Sequence, residues 1–435
     1  MEKFHVEREI AILPLSLYTA GFVFGPILAA PLSELYGRRI IYWTSLPLLV
    51  IFTAIAGVSN NITQLIINRF LAAICGSGTL AVGAGELNSI PFTSKMITNH
   101  ISGTIADLWS PAANGRAAVF YILSPFLGPA LGPLTGAYII SQYDNNWRWS
   151  MWVIIIIAAP MILLSLLMQE TSKHRILTLR KAAAGEKLIH QSGDTARIIR
   201  SLRVAIMRPL DMMVREPAVA FLSIYTGFAF AMMFSFFGSY SYVYQTVYHF
   251  NEKEVGLTFL GILVGFLSAV ASFGAFDATL YKKAVAEAAT RGKRPAPEHR
   301  LYAAMLGSIM LPIGLWWFAW TPRESVHWIV PVLAGVPFGW GTLAIFLSVT
   351  TYLVDVYGAE SGASAVAANG ILRYLLGAIF PLFTLQMYEA MGIHKAGTVF
   401  ACVGLVLTPL PWVFFWKGAE VRKRSVYAPN TSVTV

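Results

Sequence analysis

Charge is what this sequence has least of. Only 12% of its 435 residues are Asp, Glu, Lys or Arg, against 56% apolar, and the mean hydropathy is +0.61. Soluble domains carry about twice that share of charge, so a water-soluble chain of this length has too little to cover its surface. Cysteine is nearly as scarce. Cys75 and Cys402 are the only two, both in apolar stretches, which excludes a secreted disulfide scaffold. Neither a Walker loop nor a metal-ligand cluster occurs, so ATP-driven transport, a bound metal and enzymatic chemistry have no motif behind them. The net charge of +10 is spread between long hydrophobic runs and forms no continuous face, which excludes nucleic acid as a partner. No cleavable signal peptide is expected, because 1–9 is charged and no small-residue cleavage site precedes the first run.

What is there is apolar sequence in membrane-sized pieces. A hydrocarbon core about 30 Å thick needs roughly 20 apolar residues per helix. Eleven runs qualify, at 10–31, 40–58, 62–85, 113–140, 149–168, 217–244, 255–276, 302–320, 328–354, 365–388 and 396–416. They are continuously apolar rather than alternating, which excludes a β-barrel. The chain therefore reads as an all-α polytopic membrane protein whose partners are the lipid bilayer and a small molecule.

Lysine and arginine set the orientation. With the loop after the first run placed inside, the inner segments hold twenty-four basic residues. The outer loops hold four, Arg148, Lys253, Arg323 and Lys395. That asymmetry predicts a cytoplasmic C-terminus and an outer N-terminus. The longest loop, 170–216, is basic and cytoplasmic and separates five runs from six. The expected organisation is an N-terminal bundle over 1–168, a linker over 169–216, a six-helix bundle over 217–416 and a cytoplasmic tail over 417–435. Paired bundles joined by a cytoplasmic linker are a transporter architecture; six plus six is the usual count, so the first helix of twelve is missing from this reading.

Several strings are specific. Gly25-Pro26-Ile27-Leu28-Ala29-Ala30-Pro31-Leu32-Ser33-Glu34-Leu35-Tyr36-Gly37-Arg38-Arg39 ends a span with an acid, a glycine turn and a basic pair. An acid and arginines at this spacing can pair across a cytoplasmic gate; the plainer account is a positive-inside anchor with a tight turn. Asn68-Arg69-Phe70-Leu71 precedes Gly76-Ser77-Gly78. Arg69 lies about seven residues inside its run, too deep for easy snorkelling, and an ionised side chain there costs several kcal/mol, which favours a functional role. Gly128, Pro129, Gly132, Pro133 and Gly136 recur at a spacing of four, giving a smooth face suited to close packing and prolines that bend the segment. Near the end stand Tyr352, Asp355, Arg373 and Phe380-Pro381-Leu382-Phe383.

In this order, these strings resemble the signatures of the major facilitator superfamily, in the form carried by fungal twelve-span drug:proton antiporters. Ala30 departs from the general pattern, which has glycine there. The resemblance covers nearly all of 11–416 and implies a major facilitator fold of two helical bundles, here with about eleven spans. It implies gating roles for Glu34, Gly37, Arg38, Arg39, Asp107 and Arg116, and proton coupling for Arg69. It makes Gly128, Pro129, Gly132, Pro133 and Gly136 a hinge that limits leak. The implied activity is export of a drug, toxin or secondary metabolite, driven by a proton gradient with no cofactor, by a monomer in the plasma membrane or, alternatively, the vacuolar membrane. The fungal relatives include polyamine exporters, which is the second reading; a receptor or a defective fragment of the gene is the third.

The seventh span of the usual twelve carries Tyr225, Phe228, Phe230, Phe234, Phe236, Phe237, Tyr240, Tyr242 and Tyr244. Such a wall suits stacking and cation–π contacts, and equally suits core or lipid-facing bulk. Tyr225, Phe234, Tyr240 and Arg373 are the candidate substrate cavity, with a structural role the first account of Arg373. Carboxylates inside spans are scarce: Glu34, Asp107, Asp277 and Asp355 fall at cytoplasmic ends and Glu389 at an outer end. That leaves the proton carrier unassigned and disfavours a polycation site. Asn61-Ile62-Thr63 is a candidate glycosylation sequon close to the membrane, while Asn430-Thr431-Ser432 is expected to stay bare on the cytoplasmic side. Finally, 86–102 is polar, contains Pro91 and interrupts the resemblance. Its ends can be encoded by splice-like signals, so it reads as a translated intron, with a genuine loop insertion the alternative.

Overall fold

The computed structural model describes residues 4, 6–84, 111–143, 146–172, 175–177, 194–290, 292 and 295–428. The regular structure among them is entirely helical. In chain order the helices are α1 (Arg8–Tyr36), α2 (Arg38–Gly57), α3 (Ile62–Ala84), α4 (Pro111–Gln142), α5 (Arg148–Leu167), α6 (Asp194–Arg215), α7 (Pro217–Tyr248), α8 (Glu252–Thr258), α9 (Leu260–Phe276), α10 (Lys282–Thr290), α11 (Tyr302–Trp320), α12 (Ile329–Leu333), α13 (Gly335–Met391), α14 (Ile393–Leu407) and α15 (Pro409–Lys423). Ten helical stretches among the described residues are long and apolar enough to cross a bilayer. The remaining predicted run, 62–85, is α3.

Glycines at positive φ break helices at Gly37, Gly358 and Gly392. Gly37 joins α1 to α2 with φ 99° and ψ 164°, and Gly358 divides α13 into two spans with φ 62° and ψ −165°. A side chain strains either conformation. Between α9 and α10 the turn Asp277–Tyr281 widens to a π-helix, a local bulge that re-aims side chains at a span's end.

The described chain forms two compact units. Unit 1 comprises Met1–Ala118 and Trp147–Asp211; unit 2 comprises Val119–Asn146 and Met212–Val435. Most of α4 thus groups with unit 2, although it precedes the linker in sequence. Phe126 of α4 packs on Phe266 and Phe346 at ring distances of 5.4 and 4.9 Å, and Gly256 of α8 admits the α4 backbone at Pro133 and Leu134.

Within unit 1, α1 lies against α3 through small residues. A Cβ on Gly21 would come within 2.7 Å of the Ala73 Cβ, and one on Gly25 would run into Ser77. Close approach of this kind is how helices associate where no hydrophobic force separates protein from lipid. On α5, Ile156 is 61% exposed and Leu167 80%. In water each such residue forgoes roughly 1.5–3 kcal/mol of burial; facing acyl chains it forgoes nothing. In unit 2 the situation is reversed for α7, whose Leu222, Tyr225, Ala231, Tyr240 and Tyr244 are fully enclosed. It is the central helix, packed on both halves of α13. Gly307 and Gly341 bring α11 and α13 together: a Cβ on either would lie about 3 Å or less from the other's carbonyl oxygen.

The linker holds a helix the sequence reading left out, α6. Its apolar residues Ile199, Met207, Leu210 and Val214 are exposed and alternate with Arg200, Arg203, Arg208 and Arg215.

Candidate functional site

The turn between α1 and α2 in unit 1 is built around a residue the sequence reading did not single out. Glu170 follows α5. One of its carboxylate oxygens accepts the backbone N–H groups of Arg38 at 3.0 Å, Thr171 at 3.0 Å and Ser172 at 2.9 Å. The other accepts the Arg39 N–H at 3.4 Å. The first N–H groups of a helix have no partner inside it and carry the positive end of its dipole. Glu170 therefore caps α2 with both charge and acceptors. Gly37 is required twice over: its φ is positive, and an added Cβ would strike the Glu170 carboxylate.

The basic pair then diverges. Arg38 Nη1 donates to the Val82 carbonyl at 3.4 Å, near the end of α3. The Arg39 guanidinium stacks 4.0 Å from the Trp43 ring, and Trp43 in turn donates from Nε1 to the Ser165 carbonyl of α5 at 2.8 Å. The signature thus binds α1, α2, α3 and α5 into one corner. Glu34 lies on the last turns of α1, but its side chain falls outside the described residues, as do Asp107, the side chain of Arg116 and the segment 86–102.

Arg69 projects from α3 between α1 and α5. Its guanidinium carbon sits 4.4 Å from the Tyr18 ring centroid, and Nη1 donates to the Met151 sulfur at 3.5 Å. Among the described residues no carboxylate is within 4 Å of it. An aromatic face and a thioether hold the cation without neutralising it. The adjacent Asn68 is buried and turned back on its own helix, donating to the Gln64 carbonyl at 2.8 Å.

On α4, the close approach expected at Gly128, Gly132 and Gly136 is not seen. A Cβ at any of them would meet nothing within 4 Å among the described residues. The face that packs is the other one, carrying Phe126 and Leu134. Pro125, Pro129 and Pro133 all lie inside α4, where each removes one backbone hydrogen bond.

In unit 2, the aromatic residues of α7 separate into two groups. Tyr225, fully buried, donates from its hydroxyl to the Ser308 carbonyl at 3.4 Å. Tyr240 is enclosed between Phe236 and Phe318, each at 4.7 Å. Both serve as core between α7 and α11. Phe230 and Phe234, 4.8 Å apart, face the other way, and Phe230 reaches Arg373, whose guanidinium is 5.3 Å from its ring. Phe380 and Phe383 continue the ring packing at 5.1 Å.

One end of unit 2 carries ion pairs. Arg300 binds Asp355 at 2.8 Å and Asp277 at 3.3 Å while stacking 3.8 Å from Tyr281. The π-turn is what presents Asp277 and Tyr281 together. Arg422 pairs with Glu298 at 2.7 Å. Glu216, only 1% exposed, accepts the Tyr357 hydroxyl at 2.9 Å and the N–H groups of Val426 and Tyr427 at 2.8 and 3.2 Å. It ties the start of α7 to the Gly358 break and to the segment after α15.

On the opposite end of unit 1, Arg148 donates to the carbonyls of Gly57 and Ser59 and to the Asn60 side chain. Asn61 is exposed and accepts the Thr63 N–H at 3.0 Å, the turn that opens α3. Asn430 lies outside the described residues.

This is a helical membrane chain with charge networks at helix ends and arginines within two apolar helices, and its family makes it a multi-pass transport protein rather than an enzyme. It belongs to the Major Facilitator Superfamily, whose family profile matches residues 1–86 and 94–381; the interval between them falls inside 86–102. Polyamine transporter 4 of Saccharomyces cerevisiae is 36% identical over 98% of this chain and 66% of its own length. The multidrug transporter mdrA of Aspergillus fumigatus is 36% identical over 99% and 68%, and an efflux pump of Gibberella moniliformis 33% identical over 99% and 70%. The chain thus spans about two thirds of the length of these relatives. Among solved structures, the xylose transporter XylE of E. coli superposes with a TM-score of 0.61 at 16% identity, covering 95% of this chain and 91% of its own. The human organic anion transporter MFSD10 gives 0.57 at 15% identity, covering 93% and 85%.

Proposed function

We propose that the chain is a proton-coupled exporter of small amphipathic molecules, working by alternating access in the plasma membrane. The observation behind the reading is Arg69: a cation inside an apolar span, held by Tyr18 and Met151 with no carboxylate within 4 Å among the described residues. A charge kept at that cost is a functional group by default, and its pairing is free to change as protons and substrate come and go. No cofactor enters; the proton gradient supplies the drive. The names of the relatives, an efflux pump and a multidrug transporter, support the direction and breadth of transport.

The polyamine reading draws on the yeast relative's name. A polycation needs carboxylates at the depth where it binds, whereas Asp277 and Asp355 are engaged by Arg300 at the cytoplasmic end and Glu389 lies near the other end of α13. The test is flux in inside-out vesicles from cells expressing the full chain, with an imposed pH gradient. Accumulation of an amphipathic dye that collapses with a protonophore is the expected result. Competition by spermidine would transfer the assignment to polyamines, and flux indifferent to the gradient would refute coupling.

A further inference from the structure

Arg373 lies near the middle of the span Ser361–Met391. Its guanidinium carbon is 4.4 Å from the Phe346 ring centroid, 4.7 Å from that of Tyr374 and 5.3 Å from that of Phe230. The site belongs wholly to unit 2. Its position is fixed by Asn369, one turn earlier, which donates to the Thr226 hydroxyl at 2.6 Å and locks α13 onto α7. Gly227 lets the two helices close beside it, since a Cβ there would come within 2.8 Å of the Leu376 Cδ1.

A guanidinium has five N–H donors and no acceptor. Among the described residues the protein answers with one acceptor, the Tyr374 hydroxyl, 3.0 Å from Nη2. Nε is shut away from solvent with no partner, and Nη1 is unpartnered but not enclosed. Among the described residues no carboxylate lies within 4 Å. Three aromatic faces hold the charge, yet cation–π contacts leave the N–H groups in the guanidinium plane unused. A structural arginine in a membrane span would be paired, or would snorkel to the interface. Arg373 does neither, so the site is short of an acceptor.

The donor fork selects the chemistry of what is missing. Planar N–H groups match the two oxygens of a carboxylate, a geometry an ammonium cannot offer. The surroundings select its body. Phe126, Phe230 and Phe234 form a buried aromatic wall, while Phe346, Arg373 and Tyr374 keep open surface. We propose that Arg373 is the substrate-binding residue for an organic anion, a carboxylate carried on an apolar ring system, with Phe346 and Tyr374 receiving the ring. For its biological meaning this rests on the exporter reading, but binding can be measured without it.

Fluorescein and rhodamine 6G share a xanthene frame and carry opposite charge. Fluorescence anisotropy of both dyes is titrated against the purified full chain, the Arg373→Gln variant and the Arg373→Lys variant. The expected result is saturable fluorescein binding that weakens at least tenfold in Arg373→Gln and less in Arg373→Lys, with rhodamine 6G binding unchanged or tighter in both. Rhodamine binding also reports that the variants are folded. Unchanged fluorescein affinity in Arg373→Gln overturns the proposal, as does equal weakening of both dyes, which marks a structural role, or saturable binding of rhodamine alone by the unaltered chain. Dye efflux is read in parallel. A chain that binds fluorescein through Arg373 but moves neither dye defeats the exporter reading and leaves the anion site standing.

Discussion

Replacing Glu170 with alanine should release the first turn of α2, because one carboxylate provides the acceptors for N–H groups of Arg38 and Arg39 as well as for Thr171 and Ser172. A charge at a helix N-terminus contributes about 0.3–1 kcal/mol, and a charge-assisted hydrogen bond about 1.5–3 kcal/mol. Glu170 is half-buried and the bonds share one group, so they do not add; about 2 kcal/mol for the turn is a fair net figure. Since 1.4 kcal/mol is a factor of ten, the open population of that turn should rise about 30-fold. Hydrogen–deuterium exchange of the purified chain reads this directly in peptides covering 38–45. Exchange there should accelerate by that factor in Glu170→Ala and by less in Glu170→Gln, whose amide oxygen keeps part of the cap. Peptides from α14 provide the unperturbed reference. Equal exchange at 38–45 in Glu170→Ala and the unaltered chain would refute the capping argument.

Other outcomes follow from the same geometry. Arg69→Ala should abolish gradient-dependent dye flux while surface abundance stays normal, with Arg69→Lys retaining part of it; undiminished flux removes Arg69 from coupling. Gly132→Ala should insert and fold normally, since a Cβ there meets nothing within 4 Å among the described residues; a drop in thermal stability would show a contact the structure lacks. Gly358→Ala forces a side chain to φ 62°, at a cost of about 1–3 kcal/mol, and should lower the melting temperature in detergent. Full-length transcript sequencing decides the origin of 86–102: a dominant message lacking those codons supports the intron, and one containing them supports a true insertion.

The spans were legible because the bilayer imposes length and apolarity on every one of them. The division of α13 was legible too, as the gap between runs 328–354 and 365–388 contains the Gly358 break. Helix α6 was not, since its arginines dominate the composition and hide the spacing of Ile199, Met207, Leu210 and Val214. Glu170 escaped for a different reason. Its partners Arg38 and Arg39 stand 132 and 131 residues away, and nothing local distinguishes an acid that ends a span from an acid that caps another helix. The aromatic residues of α7 were visible as a set but could not be sorted, because α7 is covered on nearly all sides and no periodicity separates its faces. Only the partners, Phe318 for Tyr240 and Arg373 for Phe230, do that.

The distribution of charge has a mechanistic consequence. Among the described residues of unit 2, Asp277, Asp355, Glu298 and Glu216 are all engaged at the ends of helices. The cations within the apolar spans, Arg69 and Arg373, have aromatic rings for neighbours and, among the described residues, no carboxylate within 4 Å. A fixed positive charge at mid-depth repels a cationic substrate and attracts an anionic one, and in low dielectric the difference is steep. It also shapes coupling. If export of an organic anion is driven by protons, the anion itself can supply a carboxylate beside Arg373 where the described residues place none, joining it in one state and leaving it bare in the other. Substrate binding and charge neutralisation would then be one event. Fluorescein binding to the unaltered chain should therefore weaken as salt rises, and the salt dependence should be smaller in Arg373→Gln; parallel salt curves for the two would break the link between the bare cation and substrate choice.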